Sequence, residues 1–111
     1  MKSLFGIEYG RGATAQIVLD GPALAPAAVQ KMYPDAKWTM VTADPYDADL
    51  WARDRFGENL LIQKKIYAAT PDAPHVMIGG DHSVNFGHFA TLADKLIPDD
   101  LCLIYIDAHL D

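Results

Sequence analysis

The stretch Leu101-Cys102-Leu103-Ile104-Tyr105-Ile106-Asp107-Ala108-His109-Leu110-Asp111 decides the reading of this chain. Residues 101–106 form an apolar run of the length and composition of a buried strand. Behind it, Asp107, His109 and Asp111 stand at alternate positions. Alternate side chains of an extended segment point to the same side, so two carboxylates and an imidazole are expected to converge. They would do so at the carboxyl end of a strand, where open α/β sheets bind ligands. Three such groups at a buried edge repel one another or stay unsatisfied unless something compensates them, and a divalent cation does so. The alternative is a polar strand exit with each group solvated.

Upstream, short apolar runs alternate with helical patterns. Residues 4–9 read as a first strand closed by Gly10. Asp20-Gly21-Pro22 opens an alanine-rich helix, with Asp20 as its N-cap and Pro22 in its first turn. Pro26 removes a backbone donor, so this helix is expected to start late, near Ala25. Residues 38–42 read as a second strand. Residues 44–69 read as one long helical stretch with Asp44 as N-cap, Pro45 in first position and Gly57 weakening its middle. Ile62, Ile66 and Ala69 share its apolar face. Residues 75–78 give a third strand, ended by Gly79-Gly80. Another helix follows, with Phe89, Leu92, Ala93 and Leu96 on one face. The turn Pro98-Asp99-Asp100 leads to the fourth strand, residues 101–106. The order β-α-β-α-β-α-β predicts an α/β domain over residues 1–111: three layers, a mostly parallel sheet and helices on both faces. Trp38, Trp51, Phe56, Tyr67, Phe86 and Phe89 are expected in the core.

A second polar motif, Gly79-Gly80-Asp81-His82-Ser83, lies between the third strand and its helix. Paired glycines let the backbone turn sharply and approach a bound species. The bland reading is a strand-to-helix turn capped by Asp81 or Ser83. The spacing is neither that of a P-loop nor that of the dinucleotide fingerprint. His75 and His88 read as structural or packing residues. Glu8 and Arg11 stand at the end of the first strand, either structural or in reach of a substrate.

The 111 residues carry a net charge of −6, which argues against nucleic acid or an anionic membrane surface as partner. The acidic excess also has a plain reading as surface solubility. The single cysteine, Cys102, excludes an intramolecular disulfide and reads as a buried thiol. The amino terminus does not read as a secretory signal, and no stretch approaches the ~20 apolar residues of a membrane span. A cytoplasmic location is expected.

Taken as a pair, Gly79-Gly80-Asp81-His82-Ser83 and Asp107-Ala108-His109-Leu110-Asp111 resemble the ureohydrolases: arginases, agmatinases, guanidinobutyrases and formimidoylglutamases. The resemblance is to the amino-terminal part of that domain and is strongest after Val76. It implies a partial arginase-like fold and a hydrolase that cleaves a C–N bond of a guanidino compound or other linear amidine. In the family, two manganese ions share a hydroxide that attacks the guanidinium carbon. Carried over, His82 would bind the first manganese and Asp107 would bridge both ions. His109 would bind the second. Asp111 would bind the first and hold the hydroxide, which makes it the catalytic position. Asp81 and Ser83 match non-ligand positions and would support the ligands from behind. The donor set itself, carboxylate oxygen with imidazole and no thiolate, suits manganese, with zinc open on ligand type alone.

The family also has a later Ser-x-Asp-x-Asp segment with two more metal-binding aspartates, and later strands between the third and fourth. Neither occurs in these 111 residues, so the chain is expected to hold part of the site, with one ion or none by itself. A strand gap would expose edges, and self-association into a homo-oligomer is expected. The competing reading is a non-catalytic truncated remnant, a small metal-binding or self-associating α/β domain.

Overall fold

The computed structural model of the chain describes residues 3–12, 20–96, 100–104 and 106–107. Three parallel strands form the sheet: β1 (Ser3–Glu8), β2 (Lys37–Thr42) and β3 (Val76–Ile78), in the order β2-β1-β3. Leu4 pairs with Trp38 on one side and with Val76 on the other. Four helices accompany them: α1 (Asp20–Met32), α2 (Ala48–Arg53), α3 (Arg55–Ala69) and α4 (Asn85–Lys95).

β1 is the central strand and is covered on both faces, so it lacks the polar alternation of a half-exposed strand. Its odd positions Phe5 and Ile7 are fully buried in a cluster with Tyr9, Val41, Ile62, Ile66 and Val84. Ile62 and Ile66 come from α3, as their four-residue spacing predicts. On the opposite face α1 lies against Gly6, where an added Cβ would stand 2.9 Å from Pro26 Cβ. The predicted three-layer α/β arrangement, with a parallel sheet and helices on both faces, is the one observed.

Pro26 corrects the expected start of α1. The helix begins at Asp20, which is therefore its first residue rather than its cap, and runs through Pro26. A proline leaves the carbonyl four residues earlier without its helical donor. That carbonyl belongs to Pro22, and it accepts instead from the Gly80 N–H at 3.2 Å. A tertiary bond from the second motif thus replaces the missing helical bond.

The long helix expected over residues 44–69 is two helices. Asp47, not Asp44, caps α2: its carboxylate accepts from the Asp49 and Leu50 N–H groups. Asp54 (φ −153°, ψ 80°) then ends α2, and its carboxylate accepts from the Gly57 N–H at 2.8 Å to start α3. A short acidic side chain competes here with the helical ladder for backbone donors. α4 differs in its buried face, which consists of Gly87 and Thr91 rather than Phe89, Leu92, Ala93 and Leu96. Small residues let α4 approach α3 closely: the Gly87 N–H reaches Gln63 Oε1 at 2.8 Å.

The fourth strand does not form among the described residues: Leu101, Cys102, Leu103, Ile104 and Ile106 are not in a strand. Ile104 is 81% and Ile106 95% exposed, and Cys102 is an exposed thiol rather than a buried one. β3 is the edge of the described sheet, and no described residue of the run 101–106 pairs with it. The aromatic core likewise differs from expectation. Phe5 and Tyr9 are buried, whereas Phe56, Phe86 and Tyr67 are exposed, and Trp38, Trp51 and Phe89 are half-buried.

His75 and His88 join the entry of β3 to α4. Their Nε2 atoms are 2.8 Å apart, and both rings pack against Phe5. Burial first, and then the neighbouring His75, hold His88 below its ordinary value of 6.5. The unfolded chain therefore takes up this proton more readily than the folded one. The contribution to stability is complete above pH 6.5 and is lost as the pH falls below it. Urea midpoints measured from neutral pH downward should decline through that window, and His88→Gln should flatten the decline.

Candidate metal centre

The Gly79-Gly80 turn at the end of β3 has φ +80° and +78°, left-handed conformations that glycine adopts without steric cost. They turn the chain so that Asp81 starts a single 3-10 turn, His82–Val84, leading into α4. Asp81 is 9% exposed. Its Oδ1 accepts from the Ser83 N–H at 2.9 Å and the Ser83 hydroxyl at 2.6 Å, and its Oδ2 from the Gly12 N–H at 2.7 Å. The Asp81 N–H donates to the Tyr9 carbonyl. Asp81 is thus turned inward and pinned to the segment after β1, while His82, next along, is turned outward.

A chain of polar groups from α3, buried or half-buried, holds this loop from behind. Asn59 Nδ2 donates to the Ser83 hydroxyl at 3.0 Å and the Tyr9 hydroxyl at 3.2 Å. Gln63 Nε2 donates to the Ser83 carbonyl and to Asn59 Oδ1. Glu58, 4% exposed, accepts from the Tyr9 hydroxyl at 2.8 Å and from Arg11 Nε at 2.7 Å. Burial, and then the bond to Glu58, push the Tyr9 phenol well above its usual range, so it stays a neutral donor. Arg11 also donates to the Asp44 carbonyl and lies over the rings of Tyr9 and Tyr46. All of its contacts described here are structural. Glu8 accepts from the Thr42 hydroxyl across the sheet.

His82 meets the second motif. Its Nδ1 lies 3.8 Å from Asp107 Oδ2, with side-chain exposures of 59% and 21%. That separation is wider than a hydrogen bond. The two residues line one cavity of about 450 Å³ together with Asn85, Phe89, Leu103, Ile104 and Ile106. An imidazole nitrogen and a carboxylate oxygen facing the same space fit a manganese ion by donor chemistry. His109 and Asp111 lie outside the described residues. Among the described residues no cluster of three or more metal-binding side chains occurs, and no helix is long and apolar enough to cross a membrane.

Sequence reasoning missed Glu58, Asn59 and Gln63. A signal was present: Glu58 precedes Ile62 by four residues and Ile62 precedes Ile66 by four, so Glu58 falls on the apolar face of α3. A charge in that position needs a partner, and Arg11 provides it.

These features define an α/β protein with a histidine–aspartate pair at the carboxyl end of its parallel sheet. Comparison with protein families matches residues 8–111 to the Arginase family. The chain belongs to the Arginase family. No curated protein and no solved structure matches it.

Removing one partner of the buried pair leaves the other charge uncompensated. Glu58→Ala should lower stability by about 3 kcal/mol in urea denaturation. The double variant Glu58→Ala with Arg11→Met should lose less than the sum of the two single changes.

Proposed function

We propose that this chain forms the amino-terminal part of a metal-dependent hydrolase that cleaves a C–N bond in a small guanidino compound or other linear amidine. The observation that carries the reading is the approach of His82 to Asp107 across one cavity, in a chain of the Arginase family. The two groups come from the two sequence motifs that resemble the ureohydrolases, and each supplies a donor that manganese accepts. His109 and Asp111 would add an imidazole and a carboxylate to the same set, Asp111 standing at the catalytic position. A binuclear manganese centre, when bound, supplies Lewis acidity that makes a nucleophile available at neutral pH.

The chain's own residues have separable tasks in this reading. His82 offers its ring nitrogen from a loop that Asp81 and Ser83 hold in place. Asp107 offers its carboxylate from the opposite side. Phe89, Leu103, Ile104 and Ile106 line the same cavity. A cytoplasmic location fits the single cysteine. The open edge of β3 and the exposed side chains of Leu103, Ile104 and Ile106 support self-association.

Manganese titration of the chain, followed by the paramagnetic resonance signal of unbound Mn²⁺, tests the reading. Saturable binding is expected, and His82→Ala and Asp107→Asn should each weaken it about tenfold or more while far-ultraviolet dichroism stays unchanged. Urea release from arginine, agmatine or a guanidino acid in the presence of manganese would extend the result to catalysis. Binding that both substitutions leave intact, or no saturable binding, would overturn the assignment.

A further inference from the structure

We propose that His75 and His88 form a second cation site, suited to a borderline transition ion such as zinc and separate from the His82–Asp107 pair. The two Nε2 atoms face each other at 2.8 Å. His75 Nδ1 lies 2.8 Å from the Ala73 carbonyl. A carbonyl can only accept, so His75 carries its proton on Nδ1 and presents the Nε2 lone pair. His88 must then donate from Nε2. An imidazole whose Nδ1–H is held by a backbone carbonyl, leaving Nε2 to point at its partner, is the arrangement that orients a histidine for a metal. When His88 shifts its proton to Nδ1, the two Nε2 lone pairs face each other, and an ion between them needs both rings to shift.

Both rings line a cavity of about 340 Å³ with Asp72, Leu92 and Lys95, and that cavity shares no residue with the one holding His82 and Asp107. Phe5 packs against both rings. Zinc at its usual distance of about 2.0–2.1 Å holds two tetrahedral nitrogen ligands roughly 3.3 Å apart, so the rings need to part by roughly 0.5 Å. Two nitrogen donors prefer zinc or copper to manganese, the reverse of the mixed nitrogen–oxygen pair. The charged groups facing the pair are Asp72 and Lys95, which are bonded to each other. Asp72 is 89% exposed and can turn from Lys95 toward the ion. Water fills any remaining position. The depressed proton affinity of His88 keeps it a neutral ligand at neutral pH. His75 precedes β3 and His88 lies on α4, so the ion would clamp the two elements that flank the Gly79–Ser83 turn.

The test is a zinc titration of the intact chain, read by long-range ¹H–¹⁵N spectra of its four histidines. The Nε2 signals of His75 and His88 should shift together and saturate, and the thermal midpoint should rise. His75→Asn should abolish the response at His88, and His88→Gln the response at His75. A zinc response confined to His82 or His109 would overturn the proposal, as would an unaltered His88 response in the His75 variant. The unsubstituted spectrum decides by itself if either variant fails to fold. Because the readout is residue by residue, this site can fail while manganese binding at His82 and Asp107 stands, and the reverse.

Discussion

The carboxylate of Asp81 sits at the carboxyl end of the sheet with almost no access to water, and a buried carboxylate is tolerated where its oxygens are bonded. Here one oxygen takes both donors of Ser83 and the other takes the Gly12 N–H. Gly12 belongs to the segment after β1 and Ser83 to the turn after β3, so this one group fixes the ends of two neighbouring parallel strands relative to each other. The same turn reaches the opposite layer through the Gly80 N–H, which satisfies the Pro22 carbonyl of α1. Three layers are therefore registered by a handful of polar bonds, and the apolar core of Phe5, Ile7, Ile62 and Ile66 fills the space they define.

What the arrangement achieves for the site follows from direction. Successive residues of a tight turn cannot all face inward. With Asp81 and Ser83 committed to the interior, His82 between them faces the other way, into the cavity that contains Asp107. The polar set on α3, buried Glu58 and Gln63 with half-buried Asn59, completes the support by bonding to Ser83 and Tyr9. No buried side-chain nitrogen or oxygen among the described residues lacks a partner. A network satisfied to that degree is rigid, because any displacement leaves a group unpaired at a cost of about 1–3 kcal/mol. Rigidity of this kind would hold the exposed His82 in position for the proposed ligand role.

The parts legible in the sequence were those governed by short-range pattern. β1, β2 and β3, the face of α3 built from Ile62, Ile66 and Ala69, and the turn at Gly79-Gly80 all follow from periodicity and glycine placement. The parts that were not legible depend on partners distant in sequence. Pro26 looked like a helix boundary because the compensating donor is on Gly80, far along the chain. Asp44 looked like a cap, but its side chain is taken by Lys65 and its carbonyl by Arg11, leaving Asp47 and Asp54 to set the helix starts. That His82 and Asp107 come near each other was anticipated from the resemblance of their two motifs to the ureohydrolases. The polar groups behind them were not, since Asn59 and Gln63 resemble any surface residues of a helix until Ser83 is known to lie against them.

The apolar run ahead of Asp107 shows the same limit in its sharpest form. Composition reports that residues want to leave water; it does not report whether a neighbour exists to receive their backbone. A parallel strand needs a ladder of donors and acceptors beside it, and none of the described residues of the run pairs with β3. Leu103, Ile104 and Ile106 accordingly line the cavity beside α4 and stay largely exposed. Asp107 nonetheless stands opposite His82, in a cavity that Leu103, Ile104 and Ile106 share with Asn85 and Phe89 of α4. The approach of the two motifs thus rests on the β3–turn–α4 unit and its polar support, and among the described residues no fourth strand brings them together. Burying that apolar run would need an added surface, and an edge strand with an exposed apolar neighbour is the kind of place where one is accepted.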